Sequence, residues 1–202
     1  MRRLTKTLLV VALMLPLGAC ASMIFGKGKP VILYRFGAEP AQTVQSSAAR
    51  FGVLKTPIDF VEAAASDRIL TITDGKAAYI ADSRWVSPAE VLFDEAVDRT
   101  FQNEAGRARL LSRGEVAKAD YVLKLDVRTF ETRYAYEKAI PEVVVEVRAL
   151  LSRNDNRAVV GERVFTSTVQ ASDNRVSAIT AAYDQAVSDV LGQLHGWVNS
   201  TP

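Results

Sequence analysis

Tyr121-Val122-Leu123-Lys124-Leu125-Asp126-Val127-Arg128-Thr129-Phe130 and Val143-Val144-Val145-Glu146-Val147-Arg148-Ala149-Leu150-Leu151 are the stretches that decide the fold. In the first, Tyr121, Leu123, Leu125 and Val127 alternate with Lys124, Asp126 and Arg128. In the second, Val143, Val145, Val147, Ala149 and Leu151 share one side, while Glu146 and Arg148 point away. A period of two with one apolar and one charged side marks strands half-buried in an antiparallel sheet. Asn154-Asp155-Asn156 supplies a turn into a further strand over about Val159 to Val169.

Upstream, Asp74-Gly75 lies between Ile69-Leu70-Thr71-Ile72-Thr73 and Ala77-Ala78-Tyr79-Ile80, which predicts a two-residue hairpin with a type I′ turn. Val31 to Phe36 reads as a first strand, ended by Gly37 and Pro40, and Arg50 to Leu54 as a second, before Pro57. At Ser87 the period changes. Ser87-Pro88-Ala89-Glu90 predicts an N-cap serine, proline at the first helical position and a glutamate closing a capping box. Leu92, Ala96 and Thr100, with Phe93, Val97 and Phe101, then recur every four residues to about Glu104 or Ala105, with Gly106 as a stop. Val176, Ile179, Tyr183, Val187, Val190, Leu194 and Trp197 form one stripe of a long closing helix. The expected class is α+β: a mostly antiparallel mixed sheet with two long helices packed on one face, similar to the TolB N-terminal domain.

The N-terminus carries a different signal. Arg2, Arg3 and Lys6 precede an apolar run from Leu8 to Leu17, interrupted only by Pro16, and the run ends in Leu17-Gly18-Ala19-Cys20. That run is well short of the roughly 20 residues needed to span a bilayer and fits a signal-peptide core. The four-residue ending resembles the lipobox of bacterial lipoproteins, so residues 1–19 are expected to be a signal peptide. Cys20 is then expected to carry covalent diacylglycerol and an N-acyl chain, palmitate being a typical acyl group. Residues 20–30, with Gly26-Lys27-Gly28-Lys29, form a tether, and ten extended residues reach at most about 35 Å. Residues 31–202 form the domain. Alanine rather than aspartate follows Cys20, which points to the periplasmic face of the outer membrane.

Composition excludes several functions. Cys20 is the only cysteine, so the domain has no thiol to pair in an oxidising compartment. Removing 19 of the 202 residues leaves 183, enough for a core without a disulfide. The signal takes three cations and no acid with it, so 25 Lys+Arg become 22 against 23 Asp+Glu. No basic stripe remains to neutralise phosphates, and nucleic acid is not an expected partner. No metal is expected either, because the single histidine, His195, has no thiol to join it. It falls one turn before the end of the last helix, where it would interact with terminal carbonyls. No G-x-S-x-G motif occurs, and no enzyme is expected.

Two residues stand out as partner-binding candidates. Arg84 and Trp85 lie in Tyr79-Ile80-Ala81-Asp82-Ser83-Arg84-Trp85-Val86, which leads from the hairpin into the capped helix. Both residue types are enriched at interface hot spots. Trp85 is alternatively a core anchor, and Arg84 is alternatively tied to a neighbouring acid such as Asp82 or Glu90.

With these residues in view the chain resembles the ABC-type transport auxiliary lipoprotein component family, which includes lipoproteins of MCE-type intermembrane lipid transport. The resemblance is carried by Cys20, Leu33-Tyr34, Asp67-Arg68-Ile69, Tyr79 with Arg84-Trp85, Leu92, Ala119-Asp120-Tyr121-Val122-Leu123 and Trp197. The stretch from Gly37 to Gly52 departs from the pattern. The resemblance implies a non-enzymatic periplasmic lipoprotein with no cofactor besides its acyl chains. Its implied partners are the membrane, an ABC permease and ATPase, and an MCE-domain protein, and self-association is possible. A structural envelope lipoprotein is the alternative, either TolB-like or an activator of peptidoglycan synthesis. A module carrying lipid in its own groove is another.

Overall fold

The computed structural model describes residues 30–37, 50–111, 115 and 117–200. Cys20, the signal segment and the tether up to Lys29 lie outside the described residues, as does Pro40. The described elements are β1 (Ile32–Tyr34), β2 (Phe51–Lys55), β3 (Asp59–Phe60), α1 (Glu62–Ala65), β4 (Arg68–Thr73), β5 (Lys76–Trp85), α2 (Ala89–Asn103), β6 (Ala108–Leu111), β7 (Tyr121–Tyr134), β8 (Glu142–Arg153), β9 (Val159–Gln170) and α3 (Val176–Ser200).

The nine strands form one mixed sheet around β7. One edge of β7 pairs antiparallel with β8 along nearly its whole length, and β8 pairs antiparallel with β9. The other edge of β7 is shared by three shorter strands, all parallel to it: β2 at Tyr121–Leu123, β3 at Asp126–Val127 and β4 at Thr132–Tyr134. From β4 the sheet continues through β5 to β1, and from β2 to β6. The long pairings are antiparallel and the short ones mostly parallel, so the α+β class holds with a mixed sheet.

The alternation that identifies β7 does not run unbroken. The register slips between Val127 and Thr129, a β-bulge that turns the strand over. Leu123, Leu125 and Val127 point to the core before it, and Phe130 and Thr132 after it. The charged partners change parity too: Arg128 donates to Asp126 at 3.0 Å and Arg133 to Glu131 at 2.7 Å on the open side. Arg148 of β8 faces Asp126 in register and bonds Glu162 of β9 at 2.5 Å. The open face is therefore polar and solvated, as expected for an antiparallel sheet covered on one side.

Helices α2 and α3 cover the other face. Leu92, Phe93, Ala96, Val97 and Phe101 of α2 and Ile179, Tyr183, Val187, Val190 and Leu194 of α3 are buried in one core with Val143, Val145, Val147 and Phe165. Lys55, only 10% exposed, fastens β2 to α2 through Asp94 Oδ1 at 2.8 Å and Asp98 Oδ1 at 2.5 Å. Those two aspartates are one helical turn apart, so the ammonium relieves their mutual repulsion.

The hairpin is as expected: Asp74 (φ 49°) and Gly75 (φ 72°) both take the positive φ of a type I′ turn. The start of α2 differs from the expected capping box. Pro88 is the cap residue and no side chain caps the helix. The Ala89 N–H instead donates to the Ser66 carbonyl at 3.0 Å, so tertiary structure supplies the acceptor a serine would have supplied. The helix stops at Asn103, near the expected end. β3, α1 and β6 are too short for a periodic signal and were not anticipated.

Candidate functional site

The segment Tyr79–Val86, expected as a connector, is strand up to Trp85. Leu70 pairs with Tyr79, but Arg68 pairs with Arg84, a slip of three positions. Asp82, with φ 53°, lies in the extra length and turns the backbone through the left-handed region. The bulge brings the end of β5 alongside β1, where Ile32 pairs with Ser83, Leu33 with Arg84 and Tyr34 with Trp85.

This geometry separates the two candidate residues. Trp85 is 2% exposed, and its ring meets Phe36 edge-on at 5.0 Å and Tyr183 at 5.1 Å. Its backbone N–H donates to the Asp67 carbonyl at 2.7 Å. The indole is a core anchor that joins β5 to α3, so it presents no surface to a partner. Arg84, the next residue up the strand, is on the other face and 35% exposed. Its nearest acid is Asp67, with Nε 3.7 Å from Oδ2, rather than Asp82 or Glu90. At that separation the pair is a loose surface ion pair and not a hydrogen bond.

Arg68, directly opposite Arg84 across the β4–β5 pair, is a residue that sequence reading passed over. Its guanidinium lies over the Tyr79 ring, 3.6 Å from the centroid, and the Tyr79 hydroxyl donates to the Ala63 carbonyl at 3.0 Å. Stacking uses the face of the guanidinium and leaves its N–H donors outward. Among the described residues neither Arg68 nor Arg84 donates a side-chain hydrogen bond to an acceptor. Like charges directly opposite on neighbouring strands are unfavourable. With Leu33, 59% exposed on β1, the three side chains make one row across β1, β5 and β4. Two arginines are brought together by register, 16 residues apart in sequence; no local pattern signals it.

His195 is elsewhere. It is buried against Phe101, with ring centroids 5.0 Å apart, and Nδ1 is 2.8 Å from Glu104 Oε2 at the end of α2. The expected interaction with terminal carbonyls is thus replaced by a carboxylate from the other helix. Burial pushes the imidazole pKa below its ordinary value, and Glu104 partly opposes the shift. Nε2 is buried with no hydrogen-bond partner among the described residues. Asn199 closes this corner, accepting from the Ala108 N–H at 2.8 Å and donating to the His195 carbonyl at 2.8 Å.

The fold is thus an α+β domain whose candidate site is a pair of arginines, Arg68 exposed and Arg84 half-buried, on the two strands next to the β1 edge. Residues 34–194 match the family model of the ABC-type transport auxiliary lipoprotein component. The chain belongs to that family, whose members are lipoproteins auxiliary to ABC-type transport. A solved structure of protein XCC0632 from Xanthomonas campestris, of family DUF330, is 26% identical with a TM-score of 0.72. The match covers 84% of this chain and 96% of that one. A structure of an uncharacterised protein, 13% identical, shares the fold with a TM-score of 0.64 over 82% of this chain and 97% of its own. No curated protein matches the chain.

Proposed function

We propose that this protein is the lipid-anchored docking component of an ABC/MCE-type intermembrane lipid transport system, acylated at Cys20 and seated at the periplasmic face of the outer membrane. It holds the transport machinery there by contact rather than catalysis, with Arg84 as the contact residue. The observation that carries this reading is the state of Arg84: a half-buried guanidinium at the end of a strand, held only by a loose ion pair to Asp67, in a family that serves ABC transport. A guanidinium offers a planar fork of donors to a carboxylate, a geometry that lysine does not reproduce.

The test is co-purification of the full chain from detergent-solubilised envelope. The permease, the ATPase and an MCE-domain protein should accompany the wild type, and the Arg84→Ala variant should lose them while melting normally. A wild-type chain that purifies without any transporter subunit overturns the reading.

A further inference from the structure

Edge position and sequence disagree at β1. Val31-Ile32-Leu33-Tyr34 is a continuous apolar run, the pattern of a strand covered on both faces and paired on both sides. Yet β1 pairs only with β5 among the described residues. Ile32 is 55% and Leu33 59% exposed. Between Ile32 and Tyr34 it has no proline or charged residue, and its protection as an edge is confined to its short length and to Pro30 and Arg35 on either side.

The backbone of this edge can be assigned. The Tyr34 carbonyl accepts the Val86 N–H at 2.8 Å, so Tyr34 directs its polar groups toward β5. Successive residues of a strand in a parallel ladder alternate sides. Leu33 therefore directs both its N–H and its carbonyl to the open edge. Its side chain begins the row that continues with Arg84 and Arg68.

We propose that β1 is completed by an extended segment of the partner protein, which adds as a strand beside Leu33 and places a carboxylate against Arg84. The inference rests on the docking reading above and names the chemistry of the contact: main-chain hydrogen bonds for affinity, an acidic side chain for specificity. Charge complementarity selects the occupant. Arg68 and Arg84 are opposite one another in backbone register, Asp67 makes only a loose pair with Arg84, and neither guanidinium donates a hydrogen bond among the described residues. A strand beside β1 lies two strand spacings from Arg84, about 10 Å, which an arginine and a glutamate side chain span together. An acid there offsets its desolvation with charge-assisted hydrogen bonds from a guanidinium that has no bonded acceptor.

The experiment uses the full lipidated chain in detergent micelles and, as probe, the purified MCE-domain protein of its transport system. Leu33→Pro removes the outward N–H and leaves the β5 ladder intact. Proline is tolerated on a strand edge that faces solvent, and Ile32 is already extended as a residue before proline must be. Leu33→Pro is expected to weaken binding by about tenfold or more, and Arg84→Gln by about tenfold, a factor that corresponds to roughly 1.4 kcal/mol. Arg84→Lys should not rescue.

Hydrogen exchange gives a second measurement if Leu33→Pro fails to fold: the Leu33 amide should exchange fast in the free wild-type chain and slow in the complex. Undiminished binding by a folded Leu33→Pro, or an unprotected amide in the complex, overturns the strand addition and leaves the docking reading standing. No binding by the wild type overturns both. Three outcomes identify a different occupant and refute the proposal. They are a protected Leu33 amide in the free monomer (the chain's own residues), protection that rises with concentration (a second copy), and Arg84-dependent binding to phosphatidylglycerol vesicles (anionic lipid).

Discussion

Removal of one oxygen from the core, by Tyr183→Phe, tests how β7 and α3 are joined. Tyr183 and Thr132 are both fully buried, and the Thr132 hydroxyl donates to Tyr183 Oη at 3.2 Å. Burial pushes the phenol pKa far above its ordinary value, so it stays neutral and the pair is a neutral hydrogen bond. Tyr183→Phe keeps the ring against Phe130 at 4.8 Å and Trp85 at 5.1 Å, so aromatic packing is not disturbed. It leaves the Thr132 hydroxyl buried and unpaired, which costs about 1–3 kcal/mol. For a domain of this size that is a fall in Tm of about 3–9 °C.

Thr132→Val removes the other partner, keeps the β-branched shape and is expected to cost a similar amount. The double variant leaves no orphaned polar group, so it should be no less stable than either single variant, with a coupling of about 1–3 kcal/mol. The assay is urea unfolding of all four proteins with equal m-values, checked by calorimetry. Strictly additive losses would refute the reasoning, as would singles that unfold like wild type. Either result means the hydroxyls are satisfied elsewhere.

Trp85→Ala should cost about 3–5 kcal/mol, whereas Arg84→Ala, which loses only a loose surface pair, should stay within about 1 kcal/mol; comparable losses in chemical denaturation would contradict the assignment of one to the core and the other to the surface. Because burial lowers the folded-state pKa of His195, its neutral form is the one the fold accepts. That contribution is complete above the unfolded value and declines as pH falls below it toward the folded value. A His195→Leu variant should therefore show a flatter Tm profile than wild type from pH 7.5 to pH 5, and parallel profiles would dismiss the effect. Cys20→Ala should remove fatty-acid labelling and leave the precursor uncleaved, which metabolic labelling with palmitate and a gel shift will show.

Much of the fold was legible because it is written in local periods. The half-buried strands β7, β8 and β9 declare themselves by alternation, the hairpin by Asp74-Gly75, and both long helices by four-residue recurrence. These signals need only nearest neighbours in the chain, since a period of two or of 3.6 follows from backbone geometry alone. Where a long-range contact took over, the local reading erred. Ser87 was displaced as a cap because the Ser66 carbonyl, 23 residues before Ala89, accepts the Ala89 amide. The bulge after Val127 inverted the faces of β7, although the change of parity from Asp126 to Glu131 and Arg133 records it in the sequence.

The sequence by itself therefore determined the class of the domain, its long strands and helices, and the residues worth asking about. Only the tertiary structure decided what those residues do. Trp85 and Arg84 are adjacent, and whichever face turns inward makes one a core ring and the other a surface cation; the bulge at Asp82 and the pairing with β1 made that choice. It also set Arg68 opposite Arg84 and left β1 at an edge. Register and burial depend on which strands meet, and strands distant in the chain meet only when the whole core closes.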